Sequence, residues 1–334
     1  SAEDRYRAWA DESRRAREDL FAAPSLREAV PALLERQRVE TERLRAIEDL
    51  ESLDYRIRNF YPHPIALRRQ MLLGLDHGRQ RVDDTLECAE HTMIFLAVLS
   101  LLQQGDGPET GATRSRQLKS FLRDDSLHMD WGKCAAILKE GVEFTARHQN
   151  PLSLPFPELG QLNSAMNDSE SSWSTAEGAL REWRNNQAHL QRLPAGETRE
   201  LSANLSAHFD ALLAAASFLS TLSVVRVLDY WRSPATGART GAFHLLRGIS
   251  PPFRREERPV DSEVARGAVG LFEHRGQFVP AFPWLIMQDC LRCQRPELFV
   301  FNRVEPGKAT WIAMETGHPQ ENPDLAARIR EKFV

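Results

Sequence analysis

The sequence predicts an α+β protein, mainly helical, with a small β-rich portion at its C-terminal end. Three observations carry this. Apolar residues recur at helical spacings through most of residues 1–235. From Ala242 onward the pattern changes to short apolar runs between Gly, Pro and charged turns. The change falls at Ser233-Pro234-Ala235-Thr236-Gly237, a stretch that stops a helix.

Residues 2–22 read as a charged helix with Tyr6, Trp9 and Leu20 as sparse apolar points, interrupted at Ala23-Pro24-Ser25. From Pro31 to Phe60, Leu33, Leu34, Val39, Leu44, Ile47, Leu50, Leu53 and Ile57 form one stripe opposite alternating Arg and Glu. That is an amphipathic helix of about 28 residues, able to pack along a bundle or a partner chain. Residues 1–60 are therefore assigned as N-terminal helices with a coiled or docking role.

Tyr61-Pro62-His63-Pro64 breaks the pattern, because each proline disfavours helix in the residue before it. A second long helix is expected over Ile65–Gln104, kinked at Gly74 and Gly78 and core-forming over Met93–Leu102. Helices over 113–124 and 130–147 and one or two over 157–191 follow. After the turn at Pro194-Ala195-Gly196, Leu201–Trp231 reads as one helix, apolar on more than one side. Residues 61–235 thus make a helical bundle. Residues 236–334 make the β-rich domain, with strands over Ala242–Leu246, Ala268–Phe272, Phe278–Trp284, Leu298–Val304 and Thr310–Met314, and a terminal helix over Pro323–Phe333. The mixed-charge run Arg254-Arg255-Glu256-Glu257-Arg258 reads as a solvated loop.

The 334 residues suffice for two domains, and 42% hydrophobic with 27% charged residues is ordinary for a globular chain. A net charge of −4 and a pI near 6.2 argue against a general polyanion binder but allow a local basic cleft. Lys occurs only at 119, 133, 139, 308 and 332, so Arg supplies most of the positive charge. Arg suits bidentate phosphate contacts, although a GC-rich genome is the plainer cause of the bias. Cys88 and Cys134 fall inside helical patterns, so a disulfide framework is not expected. The charged start lacks a signal-peptide core, and no run reaches the ~18–20 apolar residues of a membrane span. A cytoplasmic protein without a membrane partner is the expectation. Walker A, dinucleotide-binding and nucleophile-elbow motifs are absent, so ATP and NAD chemistry are not supported.

An Arg followed five residues later by His occurs four times: Arg58/His63, Arg123/His128, Arg184/His189 and Arg239/His244. With 10 His in so Arg-rich a chain, spacing alone selects none of them. Prolines bracket His63. Asp124 and Asp125 would pair with Arg123 and repel a phosphate. Arg239/His244 opens the β-rich part. Only Arg184/His189 sits at the end of a bundle helix with neutral amides, Asn185, Asn186 and Gln187, between the two groups.

Arg184-Asn185-x-x-Ala188-His189 resembles the signature of the HEPN superfamily, an Arg, a polar residue, a short spacer and a His. The order of a helix with Glu87, Glu90 and Phe95, an irregular segment, and a helix opening at Leu127-His128-Met129-Asp130-Trp131-Gly132 is similar to helical HEPN proteins of bacterial defence and toxin systems. The resemblance covers roughly 60–232. It implies a bundle that forms a homodimer and a metal-independent endoribonuclease, with RNA and another defence-system protein as partners. His189 would move the ribose 2′-OH proton. Arg184 would stabilise charge on the phosphate oxygens. Asn185 would bind the phosphate or hold the His. On a straight helix, residues five apart lie about 140° and 7.5 Å apart. The pair therefore needs a broken helix or a dimer seam. The alternative is a non-catalytic adaptor or sensor subunit, with Arg184 a surface cation near a helix end.

Cys290-Leu291-Arg292-Cys293 is the one cofactor signal: two thiolates at this spacing can hold one side of a structural zinc. Further ligands would come from His318, His274 or Asp289, and the alternative is a plain structural turn. Glu87 and His91, four apart on one helix face, are a second, weaker metal half-site.

Overall fold

A computed structural model describes residues 52–105, 114–122, 127–186, 193–249, 253–261, 263–305 and 307–323, and positions 8, 10–12, 14, 15, 18, 34, 37, 38, 326 and 329. The chain divides into two units, Ser1–Arg56 and Ile57–Val334. The described positions of the first unit up to 38 are helical; most of the expected stripe over 31–60 lies outside the described residues.

Helix α1 (Leu53–Phe60) contains the boundary between the units, and α2 (His63–Leu73) and α3 (Arg79–Gln104) follow in the second unit. Prolines occupy the first turn of α2, where a missing N–H costs nothing. The expected kink at Gly74 and Gly78 is a complete break. α3 ends at Gly105, whose φ of 73° lets its N–H return to the carbonyls of the last turn. By length and composition α3 could cross a membrane, but 89% of its most apolar window is buried within the protein, as in a core helix.

Next come α4 (Arg116–Leu122), β1 (Leu127–His128), α5 (Trp131–Arg147), α6 (Leu162–Asn167), α7 (Ser172–Asn185) and α8 (Ala195–Ala215). Asp130 caps α5 by accepting the Lys133 N–H at 2.9 Å, and Ser171 caps α7 through the Ser174 N–H at 3.0 Å. α2, α5, α7 and α8 all pack on α3. Gly141 of α5 meets Ser100 of α3 so closely that a Cβ on Gly141 would overlap the serine side chain. Buried Gln103 ties this pair to the following loop, donating to Thr145 Oγ1 and accepting the Phe156 N–H.

The expected helix Leu201–Trp231 is a correction. α8 stops at Ala215, a 3₁₀ turn spans Ser217–Ser220, and Ser223–Arg232 is strand β2. β2 is the middle of an antiparallel sheet ordered β4-β3-β2-β5-β6, with β3 (Arg239–Leu245), β4 (Arg254–Pro259), β5 (Val269–Phe272) and β6 (Phe278–Pro280). Val224 and Val225 are both buried and the register shifts between Val227 and Asp229, so β2 lacks the strict two-residue period that would set it apart from a buried helix. The charge run 254–258 is likewise not a loop. It forms edge strand β4, solvated as expected, with Arg258 paired to Glu256 at 2.6 Å and Arg255 to Glu257 at 2.9 Å.

The second sheet contains β7 (Leu285–Asp289), β8 (Pro296–Glu305), β9 (Lys308–Ala313) and β10 (Pro319–Asn322), with β1 joining β8 beyond the end of β7. Trp284, Phe301 and Trp311 stack edge to face in its core, and Trp311 Nε1 donates to the Pro283 carbonyl at 2.9 Å. β8 also packs on α3, so this sheet rests on the helical layer. The fold is α+β, as expected, and the stretches 61–235 and 236–334 fall together in one unit. Positions 323, 326 and 329 are helical within the expected terminal helix.

Candidate functional site

Trp173, Ala176 and Leu180 make the buried stripe of α7. Arg184 is one turn further along that stripe, which brings it against α3. Its Nε and Nη2 both reach Glu90 Oε2, at 2.9 and 2.8 Å. A third of the arginine side chain remains exposed (34%), against 19% for Glu90. Asn185 ends the helix and is exposed, and Asn186 caps it through its N–H to the Glu182 carbonyl at 3.0 Å. His189 lies outside the described residues.

The imidazole brought near Arg184 is that of His91, on the same α3 as Glu90. Its Nδ1 stands 2.7 Å from Arg68 Nη1. A guanidinium only donates, so Nδ1 accepts and the ring hydrogen belongs on Nε2. Burial pushes this histidine down to about 3, the charges of Arg68 and Arg184 add to the shift, and a hydrogen bond to the Met314 backbone opposes it. Glu87 Oε1 lies 3.1 Å from Arg68 Nη2 and 3.9 Å from His91 Nε2. Of the suggested Glu87/His91 half-site, both groups are engaged by Arg68 of α2, Glu87 through Oε1 and His91 through Nδ1. Arg68, Glu87, His91, Glu90 and Arg184 form one polar layer across α2, α3 and α7.

Among the described residues, His63 and Arg239 each bond to groups outside their Arg–His pair. Buried His63 meets the Gly248 carbonyl through Nδ1 at 2.6 Å and faces Glu315 at 3.7 Å, while Arg58 is exposed. His128 is exposed on β1 and Arg123 lies outside the described residues. Arg239 donates to the Asp261 carbonyl at 2.7 Å, with His244 further along β3.

The cysteine knuckle acquires partners. Cys290 closes β7, Cys293 lies in the turn, Glu297 is on β8 and His318 precedes β10. Their donor atoms all lie within 4.8 Å of one another. Cys290 Sγ is 3.3 Å from His318 Nδ1, and the Cys293 thiol donates to Glu297 Oε1 at 2.7 Å. The turn is built for this. Gln294 takes the left-handed conformation at φ 53°, its N–H returns to the Cys290 carbonyl, and Cys290 N–H reaches the Arg295 carbonyl. Burial pushes the Cys290 thiol up, but the backbone N–H groups of Cys293 and Arg292, with His318 and Cys293, outweigh it and leave the thiol at about 7. The hydrogen bond to Glu297 raises the Cys293 thiol.

Of the ligands suggested for the knuckle, His318 joins the cluster and His274 and Asp289 do not. Glu297 is the candidate ligand that sequence reasoning missed. It is 1% exposed, and its signal is a carboxylate heading the apolar run Leu298-Phe299-Val300-Phe301. Cys293 and His318 line one wall of a cleft of about 600 Å³, with Arg68, Glu87 and Arg295 also on its walls. No family model, curated protein or solved structure matches the chain.

Proposed function

We propose that the protein is a metal-independent endoribonuclease of the HEPN type, an effector of a bacterial defence or toxin system that works in the cytoplasm as a homodimer. The observation that supports it most is the setting of Arg184. Its guanidinium is held by Glu90 while a third of the side chain remains exposed, beside the exposed Asn185 and Asn186. A held but accessible guanidinium can meet a phosphate without first being ordered. In this reading His189 supplies the proton transfer, Arg184 stabilises the phosphorane-like charge, and Asn185 binds the phosphate. The products are a 2′,3′-cyclic phosphate and a 5′-OH. The cluster around Cys290 and Cys293 holds a structural zinc that takes no part in cleavage.

The test is RNA cleavage by purified protein in EDTA, with end-group analysis. Arg184→Ala and His189→Ala should each lower the rate by at least about a hundredfold, with the fold kept. Full activity in His189→Ala would sink the reading.

A second reading is favoured by one specific observation. Glu90 neutralises Arg184 at 2.8 Å, as a helix-joining ion pair would in a non-catalytic adaptor or sensor. That reading expects both variants to be silent in any RNA assay and to weaken binding to a partner protein or a second copy.

A further inference from the structure

We propose that Cys290, Cys293, Glu297 and His318 together hold one zinc ion, and that this ion fastens the turn before β10 to the knuckle before β8. Gly317 is thereby seated on Glu87 of α3. The inference rests on the zinc reading above and deepens it by assigning all four ligands and a mechanical role.

The donor chemistry selects the metal. Two thiols exclude the hard cations calcium and magnesium, and thiolate, imidazole and carboxylate together suit zinc. Tetrahedral zinc holds sulfur at about 2.3 Å and nitrogen at about 2.0 Å, which places neighbouring donors some 3 to 4 Å apart. The 3.3 Å between Cys290 Sγ and His318 Nδ1 is already such a separation. The Cys293 thiol hydrogen bond to Glu297 Oε1, at 2.7 Å, would open by under an ångström as the ion replaced the proton. Binding would release the thiol protons. Four protein donors close the coordination shell, so the ion is structural. The second Glu297 oxygen accepts the Thr316 hydroxyl at 2.8 Å, which orients the carboxylate as an outer-shell partner does.

The mechanical role follows from what the turn touches on its other side. Met314 is hydrogen-bonded through its backbone to His91. Gly317, at φ 73°, comes so close to α3 that a Cβ would overlap Glu87 Oε1. The same turn therefore carries a metal ligand, His318, and a backbone contact to the helix that bears Glu87, Glu90 and His91. Cys290 and His318 are 28 residues apart, so the ion ties the β7–β8 turn to the β9–β10 turn of the same sheet.

The experiment uses the full chain. Zinc content is measured on the purified protein, and hydrogen exchange is compared before and after metal is stripped with a strong chelator. One zinc per chain is expected. Stripping should speed exchange by at least about tenfold at residues 314–320 and around 87–91 on α3, and restoring zinc alone should reverse it. Glu297→Gln and His318→Ala should each weaken zinc binding by at least about tenfold, the scale of even an outer-shell loss. Because Cys290→Ser can fail to fold, chelation of the unaltered protein is the deciding arm. Absence of stoichiometric zinc overturns both the zinc reading and the inference. One zinc per chain, with faster exchange confined to 288–297, keeps the zinc reading and overturns the clamp.

Discussion

Arg184 and Glu90 stand 94 residues apart in sequence and 2.8 Å apart in space. The carboxylate both places the guanidinium and cancels its charge. A phosphate arriving at Arg184 must therefore compete with Glu90 or share the cation with it.

Glu90→Gln should separate these effects. The amide oxygen can still accept from Arg184, but the negative charge is gone. If Arg184 meets RNA, binding to a single strand should tighten. Its salt dependence should steepen by about 0.7 in slope, the share of one phosphate contact. Binding measured from low to moderate salt checks this. An unchanged slope means that Arg184 does not contact phosphate. The stability cost should be about 1 kcal/mol, since the pair is only partly buried.

His91 should make the fold acid-sensitive. Its folded pKa lies near 3, below the ordinary value of 6.5. Between these values the unfolded chain binds a proton that the native state refuses, so stability falls as pH falls. The contribution is complete above about 6.5 and is lost progressively toward about 3. The slope is about 1.4 kcal/mol per pH unit, or roughly 2 kcal/mol by pH 5. Denaturant unfolding of the protein and of His91→Gln at pH 7 and pH 5 checks it. The variant should be less stable at pH 7 and lose less on acidification. Equal losses would place a charged histidine in the native state.

Most of the helical layer was legible because its signals are local. Pro62, Pro64 and Asp130 mark the starts of α2 and α5 in the sequence, whereas Gly74 and Gly78, read as a kink, are the break between α2 and α3. β8 and β9 fall close to their apolar runs. Ser223–Arg232 was not legible, because adjacent Val224 and Val225 are both buried and the irregularity between Val227 and Asp229 interrupts its two-residue alternation. Its signal was compositional: Val224, Val225 and Val227 are β-branched. At the candidate sites, the knuckle cysteines were found by spacing within one turn. Glu90 and Arg68 were not found as partners of Arg184 and His91, because tertiary packing joins them and no spacing rule does.

Gly317→Ala tests the seat on α3. Alanine at φ 73° costs about 1 kcal/mol in backbone strain, and its Cβ must also push Glu87 off Arg68. Gly276 is the control: its φ is 83°, but a Cβ there meets nothing within 4 Å. Thermal unfolding should show Gly276→Ala losing about 1 kcal/mol and Gly317→Ala about 2 to 3 kcal/mol. Equal losses would mean that the turn does not bear on Glu87.

The contact between α3 and α5 should tolerate no side chain at Gly141. In an exposed helix, Gly→Ala gains about 1 kcal/mol. Here the new Cβ would overlap Ser100 Cβ and Oγ and lie 3.0 Å from Ser100 Cα, in a helix pair buried along its length. Overpacking of this kind costs about 1 to 3 kcal/mol or more, so Gly141→Ala should be net destabilising. Ser100→Gly removes two of the three clashing atoms and leaves the backbone one. The double variant should therefore recover part of the loss, and a double-mutant cycle should show coupling of about 1 kcal/mol or more. Additive losses in that cycle would show that α3 and α5 lie further apart than this contact requires.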